Sequence, residues 1–330
     1  MRSPRAAALF VALVGLPTLA PAEGFEPPFV MPHRSTTVDP DAKLTPTPGG
    51  PPADLAFGAY QRGYFLTALR EATQRVAANP KDAAAMTLIA EIYRDGLAVK
   101  QDFAEATHWL ALASRNGDAN AQFELGVMML DGASGVARDR KGAQAQFEKA
   151  AAQGHPASLY NLGVLAIDVE KGQQPDLARA AGYFKRAAQA GDGAAAYSYG
   201  VQLREGRGVA LDISESARWL KVAADEGVQA GQVEYAIMLF NGVGVVRDEE
   251  EAARIFLLAA AHRNPIAENR LAHIYLSGRG APKDIVKAAL WHNLAKAAGE
   301  QDEALDKALV GLDADQLREL ARLTMLQKEF

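Results

Sequence analysis

The sequence predicts an all-α protein built as an α-solenoid, in which similar helix pairs stack one after another, and three observations support this. An aspartate recurs every 36 or 37 residues through most of the chain. An alanine, a large apolar residue and a glycine follow each aspartate at nearly constant distances. Of the 330 residues, 49% are apolar, which is enough for a packed core. Self-similarity at this period is typical of solenoids.

The first 22 residues have the layout of a secretory signal peptide. Arg2 and Arg5 give a basic start, residues 6–20 are almost wholly apolar, and Ala20 to Ala22 offer small residues for cleavage. The apolar run is short for the ~20 residues that span a bilayer. We therefore predict export to the periplasm, or secretion, with no transmembrane segment beyond the signal peptide. An uncleaved membrane anchor is the alternative.

Residues 23–52 are predicted to form a disordered, partly extended linker. Eight prolines in this stretch and the pair Gly49-Gly50 are incompatible with a regular helix. We interpret the segment as a spacer, and the alternative is a polyproline II ligand for a partner domain.

The recurring aspartate marks the start of the second helix in each pair. Its carboxylate can accept hydrogen bonds from the free N–H groups of the first turn. Three copies add a glutamate three positions later, which predicts a capping box: Glu105, Glu215 and Glu251. The six aspartates are Asp102, Asp139, Asp176, Asp212, Asp248 and Asp284.

The other repeated positions predict how that helix packs and ends. A large apolar residue, seven or eight positions after the aspartate, shares a helix face with an alanine eleven positions after it. A glycine fifteen positions after the aspartate is expected to end the helix in a left-handed conformation, with Arg263 as the exception. The large residues are Trp109, Phe147, Phe184, Trp219, Phe256 and Trp291. The alanines are Ala113, Ala150, Ala187, Ala223, Ala259 and Ala295.

The first helix of each pair carries its own repeated small residue, twelve or thirteen positions before the aspartate, and closes near a Gly-x-Gly turn. Those small residues are Ala90, Gly126, Gly163, Gly200, Ala236 and Ala272. Repeat two has an extra residue at 133–135, and repeat three replaces the turn with residues 170–175. One pair cannot bury its apolar stripe alone, so the pairs must stack.

Together these residues resemble the Sel1-like repeat of the tetratricopeptide-like superfamily: Leu-Gly, a Gly-x-Gly turn, Asp, Trp or Phe, Ala-Ala and Gly. The resemblance covers residues 82–299 as six repeats, and it implies a right-handed α-solenoid in an exported bacterial protein. Residues 53–81 look like an ordinary tetratricopeptide unit that would cap the N-terminal end. Residues 300–330 would supply capping helices at the other end.

Composition and motifs exclude several functions. Without cysteine there are no disulfides, thiolate nucleophiles or Cys-based zinc sites. The formal charge of −5 and the lack of a Lys/Arg run argue against a nucleic-acid partner. The phosphate-loop, Gly-x-Ser-x-Gly and His-Glu-x-x-His motifs are absent. No two of the six histidines share a helix face at i, i+3 or i, i+4, so we interpret each as a surface or boundary residue. We predict no enzyme activity, no cofactor and no metal.

The resemblance implies that the first helix of each pair lines a concave surface. Three aromatic residues occupy one position on successive first helices, which predicts a stripe suited to partner contact; alternatively they only seal neighbouring helices. The predicted contact residues are Arg94, Phe123, Asp131, Tyr160, Asp168, Tyr197, Arg204, Asn241, Asn269 and His273.

We therefore predict a monomeric, non-enzymatic scaffold in the periplasm or outside the cell, which binds a protein or peptide on its concave face. The resemblance to exported Sel1-like proteins implies a role in cell-envelope signalling or exopolysaccharide regulation. The alternative is an envelope hydrolase acting on β-lactam or cell-wall amide bonds, which the resemblance to cysteine-rich Sel1-like proteins implies. A third alternative is an assembly factor that acts through the proline-rich linker.

Overall fold

The computed structural model describes residues 54–132, 136–169 and 173–328, and every regular element within these ranges is an α-helix. The predicted signal peptide and proline-rich linker lie outside the described residues, as do the insertion at 133–135 and part of the atypical turn of repeat three. The described residues fall into two compact units, which are divided between residues 173 and 174.

Seven helices belong to the described part of the first unit and nine to that of the second. The first unit contains α1 (Leu55–Gln61), α2 (Phe65–Ala78), α3 (Ala83–Asp95), α4 (Phe103–Arg115), α5 (Ala119–Asp131), α6 (Arg140–Ala152) and α7 (Pro156–Ile167). The second contains α8 (Leu177–Gln189), α9 (Gly193–Glu205), α10 (Ile213–Asp225), α11 (Gln229–Asn241), α12 (Glu249–Ala261), α13 (Pro265–Ser277), α14 (Ile285–Ala297), α15 (Glu303–Ala308) and α16 (Ala314–Lys328).

Packing in each unit follows the order of the chain. From α1 to α7, and again from α8 to α14, each helix packs on the next one in sequence, and α16 packs on α14. Such nearest-neighbour packing is the defining property of a solenoid. The prediction of an all-α fold made of stacked helix pairs is confirmed.

All six recurring aspartates cap helices as predicted. Each carboxylate accepts a hydrogen bond of 2.9–3.0 Å from the backbone N–H three residues later. The capping-box prediction is wrong in its second hydrogen bond, which would join the glutamate to the backbone N–H of the aspartate. The N–H of Asp102 donates instead to the carbonyl of Tyr93 at 2.9 Å, so it has no need of Glu105. That glutamate accepts from the indole Nε1 of Trp109 at 2.8 Å.

Left-handed residues follow the second helices at the predicted positions, including the one without glycine. Gly117 has φ 93°, and Arg263, which stands where the other repeats have glycine, has φ 59°. A side chain at such a φ is strained by contact of its Cβ with the backbone. The register of the repeat therefore imposes this conformation even where the residue type disfavours it.

The core consists of the repeated small residues and the aromatic side chains packed against them. All six alanines of the second helices are fully buried. On the first helix of repeat two, a Cβ added to Gly126 would lie 2.7 Å from Cε1 of Phe147, which explains why that position is small. The prediction of a surface or boundary position is wrong for His292, which is only 4% exposed. It occupies the position that Phe147 and Phe256 fill in other repeats, and its Nε2 pairs with Asp306 Oδ1 at 2.9 Å.

Candidate partner-binding surface

In the first unit, the predicted contact residue Arg94 joins the first helices of two successive repeats. From α3, its Nε donates to Asp95 Oδ1 at 2.8 Å. Its Nη1 donates to Glu124 on α5. The guanidinium is thus held between two carboxylates but keeps part of its surface exposed. Burial opposes the charged form of Arg94, but the hydrogen bonds and charges of the two carboxylates outweigh it and raise the pKa of Arg94.

A glutamate and a tyrosine complete this cluster. Burial raises the pKa of Glu91 to about 7, and the charge of Glu124 adds to the rise. Burial and the neighbouring Glu91 carboxylate also raise the pKa of the Tyr60 hydroxyl. This group on α1, α3 and α5 therefore presents an arginine, a phenol and acidic groups next to one another.

The second unit repeats this arrangement. Arg204 Nη1 on α9 donates to Glu234 Oε2 on α11 at 2.5 Å, and the two residues are 30 positions apart, as Arg94 and Glu124 are. Burial raises the pKa of the Tyr197 hydroxyl, and the charge of Glu234 adds to the rise. An acidic residue again follows the arginine, since Arg204 lies 3.9 Å from Glu205.

Phe123, the first aromatic residue of the predicted stripe, packs inside the first unit. Its ring centroid lies 5.0 Å from that of His155 and 6.0 Å from that of Phe147. Phe123 therefore packs between neighbouring helices, as the alternative interpretation has it, and the residue is half-buried. Tyr160 on α7 is also half-buried.

At the end of the second unit, two predicted residues meet at one carboxylate. Asp302 is the N-cap of α15. Its Oδ2 accepts a 3.1 Å hydrogen bond from Asn269 Nδ2 and lies 2.7 Å from His273 Nε2. Burial would raise the pKa of Asp302, but bonds from the Leu305 N–H and these two side chains hold it well below its usual range.

The three other predicted residues lie at helix ends. Asp168 accepts a 3.0 Å bond from Arg140 Nη1 of the preceding helix. Asp131 and Asn241 are exposed, and Asn241 Nδ2 bonds to the carbonyl of Ile237 in its own helix. Within each unit, the structure therefore brings most of the predicted polar residues into contacts that link helices.

Sequence reasoning missed the acidic partners of these residues. Glu124 and Glu234 could have been found, because a glutamate follows the arginine by 30 residues in both places. Asp302 lies beyond the repeated positions and gave no such signal. Across residues 54–132, 136–169 and 173–328, no three His, Asp or Glu side chains are placed to hold a metal ion. Among the described helices, none combines the length and apolarity needed to cross a bilayer.

Comparison with known proteins adds family evidence. The model of the Sel1 repeat family matches six consecutive segments: residues 83–118, 119–155, 156–192, 193–228, 229–264 and 265–300. These segments cover more than half of the chain. No curated protein matches the sequence.

Two solved structures share the fold. The crystal structure of c5321, a protective antigen present in uropathogenic Escherichia coli strains, matches with a TM-score of 0.67 and 25% identity, over 83% of this chain and 60% of that chain. A Sel1 repeat protein from Oxalobacter formigenes matches with a TM-score of 0.59 and 27% identity, over 76% of this chain and 100% of that one. The chain thus spans less than two thirds of the length of c5321. With its six matched segments and these two neighbours, the chain belongs to the Sel1 repeat family.

Proposed function

We propose that this protein is a non-enzymatic scaffold, exported to the periplasm or secreted, that binds a peptide or partner protein along the first helices of its repeats. Sel1 repeat proteins generally mediate protein–protein interaction and are typically non-catalytic. In this role the protein acts in cell-envelope signalling or exopolysaccharide regulation.

The arrangement that the two units share is the observation that supports this face. In each unit an arginine and a glutamate from successive first helices form a pair, with a half-buried tyrosine close by. Arginine and tyrosine are enriched among the residues that dominate binding energy at protein interfaces. A planar guanidinium can also bind a partner carboxylate through two parallel hydrogen bonds.

Partial exposure makes these arginines available to a partner. An exposed ion pair contributes only about 0–1 kcal/mol to stability, because water screens it. A carboxylate from a partner can therefore compete for Arg204 without a large loss of folding free energy. The neighbouring phenol adds apolar contact area and a hydroxyl group.

Crosslinking in living cells tests the face. A photo-crosslinking amino acid placed at Tyr197 should give discrete adducts, whereas one at the exposed Arg218 on α10 should not. Arg204→Glu should reduce adduct formation at position 197, because a repulsive charge then faces an acidic partner group. Equal adducts from positions 197 and 218, or adducts unchanged by Arg204→Glu in a folded protein, would contradict the proposal.

Export is tested separately. The signal-peptide layout of residues 1–22 supports an exported location, and the similar protein c5321 is a protective antigen. N-terminal sequencing of protein from the periplasmic fraction should give a mature chain beginning at Glu23. Full-length protein confined to the cytoplasm would refute this part of the proposal.

A further inference from the structure

A cavity of about 660 Å³ opens in the second unit, where α10, α11 and α12 meet. Its volume falls within the ~300–1,000 Å³ range of ligand sites. None of the predicted contact residues lines it, so it is a second surface of the protein.

The preceding repeat shows what fills the equivalent space. There, Trp219 contacts Tyr199 edge-on, with ring centroids 5.8 Å apart. Its indole Nε1 donates to Glu215 Oε1 at 2.9 Å. The indole is thus held by an aromatic ring on one side and a carboxylate on the other.

The next repeat, 36 residues later in the sequence, also has a tyrosine and a glutamate at these positions but has no tryptophan. Tyr235 and Glu251 are the counterparts of the tyrosine and the glutamate, and both line the cavity. Ile255 stands in place of the tryptophan and also lines it. The smaller isoleucine side chain leaves space where the previous repeat has a ring.

A buried acceptor in the cavity wall has no partner. Gln232 lines the cavity, is only 6% exposed, and its Oε1 has no hydrogen bond. The same position of repeat two holds Gln122, whose Oε1 accepts a 2.9 Å bond from Gln153. A buried acceptor without a donor destabilises a protein, so a ligand that brings an N–H group would be favoured here.

The cavity is lined by exposed apolar side chains together with charged ones. Leu258 is 58% exposed and Val246 is 89% exposed, and both line the opening. Four charged side chains besides Glu251 also line the cavity: Lys221, Asp225, Arg247 and Asp248. Exposed apolar side chains surrounded by polar residues are typical of protein–protein contact sites, and aromatic side chains are enriched among the residues that dominate binding there.

We propose that this cavity binds a tryptophan side chain of a protein partner, with the ring against Tyr235 and the indole N–H directed to Glu251 or Gln232. The partner is a different protein, because the three tryptophans of this chain already lie in its own helices α4, α10 and α14. The site is independent of the first-helix face, so either proposal can fail without the other.

The test measures binding of N-acetyl-tryptophanamide to the full protein by NMR, with the side-chain amide signal of Gln232 as reporter. We expect saturable shifts in the wild type. The 1-methyl derivative, which lacks the indole N–H, should bind about fivefold more weakly, as the loss of one hydrogen bond implies. N-acetyl-phenylalaninamide should be weakened at least as much.

Two variants locate the binding. Ile255→Trp fills the cavity with the residue that the preceding repeat uses, and it should abolish binding while its circular dichroism stays unchanged. Ile255→Val, the matched control, should keep wild-type affinity. If the tryptophan variant does not fold, Gln232→Ala should weaken binding instead. Alanine is compatible with this position, because repeat four has Ala196 there.

Several results would overturn the proposal. These are absence of binding by the wild type, equal affinity for the methylated ligand, and binding that persists in the folded Ile255→Trp variant. If free indole bound but the capped amino acid did not, a protein source for the ligand would be refuted.

Discussion

The buried carboxyl of Glu268 on α13 makes the stability of the second unit depend on pH. This side chain is 1% exposed, and burial raises its pKa from the ordinary 4.5 to about 7, although the charge of Arg263 opposes the rise. Below pH 4.5 the folded and unfolded states are both protonated, so the group has no effect there. As the pH rises from 4.5 to 7, only the unfolded state releases its proton, and the folded state is destabilised. At ~1.36 kcal/mol per pKa unit, this loss reaches about 3 kcal/mol by pH 8.

Glu268→Gln should remove this loss. Glutamine already occupies the equivalent position in two other repeats, as Gln122 and Gln232, so the amide fits the site. The variant is expected to unfold with a free energy about 2–3 kcal/mol higher than wild type at pH 8 and equal to it at pH 4.5. Urea unfolding followed by circular dichroism at both pH values measures this difference.

The control for this prediction is Glu303→Gln. Glu303 is exposed, so its substitution should leave the unfolding free energy unchanged at both pH values. Other groups that titrate in this range contribute equally to wild type and variant, and they cancel in the comparison. The reasoning is refuted if Glu268→Gln has no effect at pH 8, or if its effect is the same at both pH values.

Three further predictions concern packing and charge. Gly126→Ala places a Cβ against a core phenylalanine and should lower the unfolding free energy by about 1–3 kcal/mol. Gly182→Ala on α8, with open space around it, should raise the unfolding free energy by about 0.5–1 kcal/mol. Thermal unfolding of the two variants and the wild type measures these differences. Asp302→Ala should lower the unfolding free energy by about 1 kcal/mol at neutral pH. Because the pKa of this carboxyl is lowered in the folded state, the difference in unfolding free energy between wild type and variant should shrink as the pH falls below 3.8. A double-mutant cycle of Arg204→Ala and Glu234→Ala should give a coupling below about 1 kcal/mol that 1 M salt reduces; a larger, salt-independent coupling would contradict the partly exposed pair seen here.

The spacing of residues was sufficient to predict the helix pairs and their ends. The cap of α10 depends on Asp212 and the N–H three positions later, and these atoms are close in any chain that forms a helix there. The same reasoning located the left-handed residue after each second helix. Local bonds of this kind depend on neighbouring residues alone, so a single sequence contains the information.

The contact residues were predicted less completely, because their partners lie on other helices. Arg94 is a predicted contact residue, and its pairing with Glu124 on the next first helix is not visible in the sequence of either helix alone. The sequence predicts His292 at the surface or at a boundary, but it is buried at a core position. The partner of Arg94 depends on how α3 lies next to α5. The burial and the partner of His292 depend on how α14 packs with the C-terminal helices.

The amino-acid pattern alone is enough to predict the class of fold, the repeat length and the residues that begin and end each helix, because these depend on interactions within one or two turns. Three other features become visible only when the helices are packed: the pairing of the arginines, the burial of His292 and Glu268, and the cavity that Ile255 and Tyr235 line. The paired side chains are 14 to 30 residues apart in the sequence, and the distances between them are set when successive helices pack.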